Sequence, residues 1–286
     1  MSGVRYFVDG PRPLPPRYRL IDTAAIVTED VTYWQGITQI WSYPPDLPEA
    51  WDPCSTGTDR IKVEGGAIPL PEFGAFVVYV AETCTTRSIG YAGQSLQEMQ
   101  DAYVARAMAT FAAVESFAVE DQLANGTMLP ANPYLGDASM VPLNGTTPVA
   151  SKAALGFLEN AIGATGRAGM IHATPAIASV WGQFRLKPEA GVLRSTVGTP
   201  IVVGDGYIGS TPVEMGTNVN PTGTDWAYAT GPVELRRSEV QIYPNTVREA
   251  MAGDNTNTIT YRVERTYLAA WDTVLQAGIL VDWTTG

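Results

Sequence analysis

The chain has 286 residues, of which 45% are hydrophobic and 16% charged, so it can bury a real core in one large domain or two smaller ones. Its 18 basic and 29 acidic residues give a net charge of −11, which excludes tight general binding to nucleic acid because that requires the opposite sign. Two cysteines, Cys54 and Cys84, are too few for a disulfide scaffold and are expected to be reduced. We see no run of about 18 apolar residues and no signal-peptide core, and therefore expect a soluble protein without membrane contact.

The first part of the chain is rich in proline and large aromatic rings. Residues 1–20 include Pro11–Pro16, a stretch that cannot be helical and is expected to be an extended arm over a neighbouring subunit or domain. Trp34, Trp41 and Trp51 follow among further prolines. Rings of this size must be buried, either by the core of this chain or by another chain.

A hairpin is expected around Gly65-Gly66, between two weak strand patterns. Phe76–Val80 follows as a short strand with apolar residues on both faces. Since the arm before Trp34 and the loop at 55–74 are rich in proline and glycine, we expect them to become ordered only against neighbouring copies.

One long helix is expected at 95–125. Ser95 and Glu98 form a capping box at its start, Gly126 suits a left-handed C-cap, and Pro130 prevents continuation. The apolar residues of the predicted buried stripe recur at helical spacing: Leu96, Met99, Tyr103, Met108, Phe111, Val114, Phe117 and Leu123. At 1.5 Å per residue such a helix would be about 45 Å long.

The remainder predicts two shorter helices and several strands. The helices are expected at 151–162 and 175–184, and the strands at 169–173, 192–203 with a break at Gly198, 226–243, 258–269 and 279–283.

The residues give little sign of catalysis. Gly204–Gly209 matches the spacing of a dinucleotide-binding loop after a strand, and Asp225 lies near the acidic position, but the residues that follow cannot form the required helix. We therefore interpret it as a glycine-rich surface loop, with a nucleotide-binding enzyme kept as an alternative. His172 is the single histidine and is expected to be a hydrogen-bonded core or interface residue. We predict no catalytic residues, no cofactor and no metal site.

The order of elements resembles the major capsid proteins of tailed bacteriophages, which have the Hong Kong ninety-seven-like fold. The alanine-rich helix ending in Val-Glu-Asp-Gln-Leu-Ala-Asn-Gly126 is similar to their spine helix. The segments that follow occur in the matching order: Ala153–Leu158, Met170–Ala176, Gly198–Val203 and Tyr261–Arg265.

This resemblance implies an α+β fold divided into the family's four parts. They are an N-terminal arm at 1–42, an E-loop at 43–75, a peripheral domain at 76–145 and 229–286 with the spine helix at 95–125, and an axial domain at 146–228. Some family members cross-link subunits through an E-loop lysine. Lys62 lies in the predicted E-loop, but nothing else fixes the required geometry, and we predict no cross-link.

The resemblance also implies a function. The chain is expected to be a structural protein and not an enzyme, assembling with itself as hexamers and pentamers into an icosahedral shell, with portal or decoration proteins as further partners. The shell would enclose double-stranded DNA without sequence-specific binding, assemble in the host bacterial cytoplasm and belong to the virion. An encapsulin-like compartment or a minor head protein is the alternative, although encapsulins usually start with an amphipathic helix that Pro11–Pro16 disfavours. The candidate interface residues are Trp34, Trp41, Trp51, Lys62, Gly65 and Gly66.

Overall fold

The computed structural model of the chain describes residues 11–29, 38–39, 72–85, 96–184, 186–213, 216, 220–244 and 258–285. Within them the α-helices are Leu20–Thr23 (α1), Leu96–Asn125 (α2), Ser151–Ala164 (α3) and Pro175–Trp181 (α4). The first strands are Ala25–Thr28 (β1), Thr38–Gln39 (β2), Glu72–Phe73 (β3), Phe76–Thr85 (β4), Val141–Thr146 (β5), Val149–Ala150 (β6), Met170–Ala173 (β7) and Lys187–Glu189 (β8). The later strands are Val192–Arg194 (β9), Pro200–Val203 (β10), Thr224–Thr230 (β11), Val233–Arg237 (β12), Gln241–Tyr243 (β13), Thr258–Trp271 (β14) and Gln276–Asp282 (β15). This mixture of helices and strands confirms the predicted α+β class.

A five-stranded sheet is built around the long strand β14. Strand β14 pairs with β12 and β13 along one edge and antiparallel with β4 along the other, and β1 adds to β12 in parallel. The first part of β14 alternates as predicted, because Tyr261 and Val263 are buried on the inner face while Arg262 points to the opposite, exposed side. Farther along the strand the alternation ends, since Leu268 and Ala270 on the outer face are also buried.

An eight-stranded sheet forms the second layer, in the order β5-β15-β11-β7-β10-β9-β8, with β6 also pairing with β15. Both faces of its centre are buried. Ile171 and Ala173 of β7 pack with α3 and α4, whereas Met170 belongs to the core that α2 covers on the other face. This sheet therefore separates the two hydrophobic cores.

Helix α2 links the two sheets. It packs on β4 and β14 of the five-stranded sheet and on the 3₁₀ helix Asp205–Tyr207 that follows β10. The predicted C-terminus is confirmed: Gly126 has a φ of +65°, and the Gln122 side chain accepts hydrogen bonds from the backbone N–H groups of Met128 and Leu129. The helix thus ends at a left-handed glycine, whose backbone N–H donates to the carbonyl of Gln122, and the Gln122 side chain holds the loop that follows.

The predicted apolar stripe of α2 is only partly right. Phe111 and Leu123 are buried, but Val114 and Phe117 are 40% and 49% exposed. The helix instead buries alanines and polar groups, among them Ala107, Glu115 and Glu120, against the sheets. Small residues allow close approach of the helix to a sheet, so hydrophobicity alone misassigned the buried face.

The prediction for β4 needs a similar correction. Phe76 and Val78 are buried, but Val77 and Tyr79 are 45% and 62% exposed, so only one face of this strand lies in the core. The strand also extends to Thr85, beyond its predicted end at Val80. Strand β5 lies between the predicted elements, in a stretch for which we predicted no strand.

The other predicted elements agree closely with the structure. Helix α4 begins at Pro175 with Thr174 as its N-cap, and a 3₁₀ turn continues it to Phe184. The break at Gly198 separates β9 from β10, and this glycine has a φ of +98°. The stretch 226–243 forms three strands, the first of which begins at Thr224.

The segment Gln100–Asn125 of α2 is long and apolar enough, by length and composition, to span a membrane. The core helix of a soluble protein meets the same test. In this fold the segment packs on β4 and β14 and carries the buried carboxylates Glu115 and Glu120.

A matched pair of substitutions on α2 tests which face is buried. Phe111→Ala should lower the free energy of unfolding by about 3–5 kcal/mol, because it removes a buried ring from the core. Phe117→Ala, the same change at a half-exposed position, should stay within about 1 kcal/mol of the parent. Urea unfolding followed by far-UV circular dichroism measures both. Equal losses would show that the orientation of the helix is wrong.

Candidate functional site

The candidate interface residues Trp34, Trp41, Trp51, Lys62, Gly65 and Gly66 lie outside the described residues, as does most of the predicted E-loop. Their role in an interface stays a prediction. The arm is described from Pro11 onward, and its residues up to Arg17 are exposed and have no regular secondary structure. Where this arm joins the body, the structure contains a polar site that connects distant parts of the chain.

The centre of this site is the carboxylate of Glu120, which is completely buried in α2. One of its oxygens accepts hydrogen bonds from the backbone N–H of Leu20 at 3.1 Å and from the Ser116 hydroxyl at 3.0 Å. Its other oxygen accepts from the Arg19 guanidinium at 3.2 Å and from the backbone N–H of Gly206 at 3.5 Å. Four donors from three separate segments therefore meet on one carboxylate.

Arg19 connects this carboxylate to a second one. It is 6% exposed, and its guanidinium also pairs with Asp205, whose side chain is partly exposed. Leu20 next to it is fully buried, and the carbonyl of Tyr18 accepts a hydrogen bond from the backbone N–H of Val203 at 2.8 Å. The arm is thus fixed to the body at residues 18–20. The expectation that the whole segment before Trp34 orders only on assembly is wrong for α1 and β1.

Burial dominates the electrostatics of Glu120. Loss of hydration raises its pKa to about 6, and the hydrogen bond from Leu20 and the charge of Arg19 oppose this rise only in part. The carboxylate is mostly ionised at neutral pH and is held there by its donors. A buried charge with this many donors indicates a structural anchor.

The loop Gly204–Gly209 belongs to the same site. Residues 205–213 contain no α-helix of the kind that a dinucleotide-binding loop requires, and the structure shows only the short 3₁₀ helix Asp205–Tyr207 there. A methyl group added at Gly204 would lie 2.5 Å from Glu120 Oε2, and one at Gly206 would lie 2.5 Å from the backbone nitrogen of Asp121. These glycines therefore allow the loop to pack on α2. The backbone of the loop faces α2 at Gly204 and Gly206, which leaves no room there for a bound phosphate.

His172 lies beneath this loop. Its Nδ1 is 3.0 Å from the Tyr207 hydroxyl and its Nε2 is 3.0 Å from the Thr230 hydroxyl, and all three residues are fully buried. Loss of hydration lowers the pKa of His172 to about 3, so the ring is neutral at physiological pH. The prediction of a hydrogen-bonded core histidine is confirmed.

A second acidic residue of α2 is used in the same way. Glu115 accepts from the Arg265 guanidinium and from the Tyr267 hydroxyl, both on β14. Burial, then the charge of Glu115, raises the pKa of Tyr267 above its ordinary value. The helix is therefore tied by Glu115 to the five-stranded sheet and by Glu120 to the arm and the loop.

Sequence reasoning missed the anchor at Glu120 because its members are far apart in the chain. Arg19 and Glu120 are 101 positions apart, and Glu120 and Gly206 are 86 apart. The available signals were an acidic pair near the end of a helix, an arginine before an apolar residue, and a Gly-x-Gly loop without a helix. None of them indicates which partner it has. Among the described residues, no group of three or more His, Cys, Asp or Glu side chains could hold a metal ion.

Alanine substitutions at two glycines test the packing of the loop on α2. Gly206→Ala should lower the free energy of unfolding by about 1–3 kcal/mol, because the new methyl group would meet backbone atoms that cannot move independently. Gly156→Ala in α3 is the control. Its methyl group would meet nothing within 4 Å, and replacing a helical glycine should raise the free energy by up to about 1 kcal/mol. A Gly206→Ala protein as stable as the parent would show that the loop does not press on the helix.

The buried His172 predicts a loss of stability in acid. Its folded pKa of about 3 lies below the value of 6.5 for an unperturbed histidine, so the unfolded chain binds the proton first as pH falls through 6.5. Between pH 7 and pH 5 this should remove about 2 kcal/mol from the free energy of unfolding.

Glu120 acts in the opposite direction. Its raised pKa favours the folded state in acid, and that contribution is lost as pH rises through about 6. Comparison with His172→Gln, measured by urea unfolding at pH 7, 6 and 5, isolates the histidine. The difference in the free energy of unfolding between parent and variant should become smaller toward pH 5. A difference that stays constant with pH would contradict the lowered pKa of His172.

No protein-family model matches the chain, and no curated protein matches its sequence. Solved structures do match, over nearly the whole chain. The capsid of a native GTA particle computed with C5 symmetry is 11% identical, with 98% of this chain and 94% of that chain covered and a TM-score of 0.52. A chain of Microbacterium phage Oxtober96 is 10% identical, with 98% and 95% covered and a TM-score of 0.54.

The holo-SrpI encapsulin complex from Synechococcus elongatus is also similar, with 13% identity, 99% and 92% of the two chains covered and a TM-score of 0.53. At these identities the likeness concerns the fold. This chain therefore has the Hong Kong ninety-seven-like fold of capsid and encapsulin subunits, as the sequence resemblance implied.

Proposed function

We propose that the chain is the shell-forming subunit of a tailed-bacteriophage head, assembling with itself into a closed icosahedral container for double-stranded DNA. The observation that carries this proposal is the likeness to a capsid subunit over 98% of the chain. A match over the full length includes the arm, the long helix and both sheets, whereas a shared local motif would not. The net charge of −11 suits a container that must not adhere to the DNA it encloses.

The arm supports this proposal. Its prolines leave Pro11 to Arg17 exposed and without regular secondary structure, while Arg19 and Leu20 fix its base. An extended segment spans up to about 3.3–3.6 Å per residue, which suits contact with a neighbouring subunit. We infer that this exposed segment lies on a second copy in the shell.

We also propose how the described body divides between the two domains that the resemblance implies. The peripheral domain comprises the five-stranded sheet with α2, and the axial domain comprises the eight-stranded sheet with α3 and α4. This division differs from the predicted bounds, because it moves β5 and β15 from the peripheral to the axial domain: β15 pairs with β11 through seven residues and with β5 in parallel. Portal or decoration proteins as partners and assembly in the bacterial cytoplasm remain parts of the proposal.

An encapsulin-like shell is the second candidate, because an encapsulin subunit has a similar TM-score of 0.53. The described part of the arm argues against it. Residues 11–18 contain no helix, and the four-residue α1 that follows is too short to be an amphipathic cargo-holding helix. A role as an enzyme has no supporting cluster of groups in the described residues.

Particle formation tests the proposal directly. The purified protein should sediment as large particles or capsomers, and negative-stain electron microscopy should show closed shells. Particles from the native source should contain double-stranded DNA under the phage proposal and a cargo protein under the encapsulin alternative. A protein that stays near 31 kDa at all concentrations would contradict both.

Deletion of residues 1–16 tests the arm separately. Because Arg19 and Leu20 anchor the base of the arm, a deletion that stops at Pro16 should leave the fold and its urea midpoint unchanged. Closed particles should be lost, since the segment that reaches the neighbour is gone. A variant that restores the length with a glycine-serine segment controls for chain length alone. Regular shells from the deletion variant would show that the exposed arm is not an assembly element.

A further inference from the structure

Strand β4 is the outermost strand of the five-stranded sheet. It pairs with β14 through all ten of its residues, from Phe76 opposite Tyr267 to Thr85 opposite Thr258. Strands β12 and β13 occupy the other edge of β14. Among the described strands, none pairs with the outer edge of β4.

This edge lacks the features that normally prevent strands of different molecules from pairing. Natural edge strands are short, or carry lysine, proline or several charges. Strand β8, at the edge of the eight-stranded sheet, has all of these, since it consists of Lys187, Pro188 and Glu189. Strand β4 has ten residues, and its one charged residue is Glu82. The edge at β8 is thus protected, whereas the edge at β4 is not.

The side chains along β4 are also suited to pairing. Val77 and Tyr79 are 45% and 62% exposed on the face that points away from α2, while Phe76 and Val78 are buried beneath. Valine and tyrosine are favoured in strands, and aromatic and β-branched residues stabilise each other across paired strands. A neighbouring strand would cover these side chains as well as satisfy the backbone.

We propose that β4 pairs antiparallel with β4 of a second copy across a two-fold axis, joining the two five-stranded sheets into one. Length favours this occupant. Strand β1, at the other edge of the same sheet, has only four residues, and β14 already has partners on both edges. A second β4 matches the full ten residues, and two-fold contacts between identical surfaces are the commonest in oligomers.

This inference rests on the proposed function, because one strand pair is a small contact. Stable interfaces bury about 1,200–2,000 Å², more than a single strand pair is expected to supply. The pairing should therefore form in assembled particles and in concentrated protein, where other contacts or mass action support it, and not in dilute solution.

Cysteine cross-linking tests the pairing without disturbing the fold. Cys54→Ser and Cys84→Ser remove the native thiols. Val77→Cys, Tyr79→Cys, Ala81→Cys and Thr83→Cys are then introduced singly and as neighbouring pairs. At the two-fold axis of such an antiparallel pair, a residue on this face lies opposite either the same residue of the second copy or the residue two positions away. One of the single-cysteine variants or one of the neighbouring-pair variants therefore places two cysteines opposite each other at the axis. Val197→Cys, at a position 74% exposed in the turn between β9 and β10, is the control.

After oxidation, particles of one single-cysteine or neighbouring-pair variant of β4 should give a dimer band on a denaturing gel, and a reductant should abolish that band. Particles of the Val197→Cys variant should give only the monomer band. Particles without such dimers in any β4 variant would overturn the pairing and leave the shell function intact. If the parent forms no particles, the shell function fails. Oxidation of concentrated protein then decides the pairing alone, since dimers would support it and their absence would overturn it. Occupation of the edge by another segment of the same chain would likewise give no dimers.

Discussion

A carboxylate inside a protein is stable only when enough donors replace the water it has lost, and this requirement organises the centre of the molecule. Glu120 meets it with Ser116 from its own helix, Arg19 and Leu20 from the arm, and Gly206 from the loop after β10. Removing any one donor segment would leave the charge short of partners. The long helix, the base of the arm and the loop after β10 of the eight-stranded sheet are therefore interdependent.

This constraint explains two features that look unrelated in the chain. The glycines at 204 and 206 bring the loop backbone close to α2, because any side chain there would collide with Glu120 or Asp121. The arm has a rigid base and an exposed end, because Arg19 is bound in the anchor while Pro11–Arg17 has no contact of that kind. A fixed base with an exposed end suits the lacing of subunits, which is how the fold connects to the proposed function.

The surface shows a corresponding asymmetry. The centre of the eight-stranded sheet is buried on both faces, and its edge strand β8 carries lysine, proline and glutamate. The five-stranded sheet is covered by α2 on one face, while Val77 and Tyr79 of its edge strand β4 are exposed on the other. Since exposed apolar strand edges associate with other chains, the five-stranded sheet is the more suitable place for contacts between copies.

Local and regular features were determined by the sequence alone. Five features follow from a few neighbouring residues and agree with the structure: the limits of α2, the cap at Gly126, the break at Gly198, the alternation in the first part of β14 and the hydrogen-bonded His172. The α+β class and the order of elements follow from the sum of these. Such features depend on backbone conformation and hydrophobic period, which act within about one turn or one strand.

Only the tertiary structure decided which faces are buried and which distant residues meet. Periodicity placed Phe117 and Val114 of α2 in the core, yet they face outward, because alanines and paired carboxylates fill the close contact with the sheets. It gave β4 two apolar faces, although only the face of Phe76 and Val78 is buried. It gave no sign that Arg19, Glu120 and Gly206 meet. Charge pairing in a core depends on distance in space, and a linear pattern carries no information on distance between residues 101 positions apart.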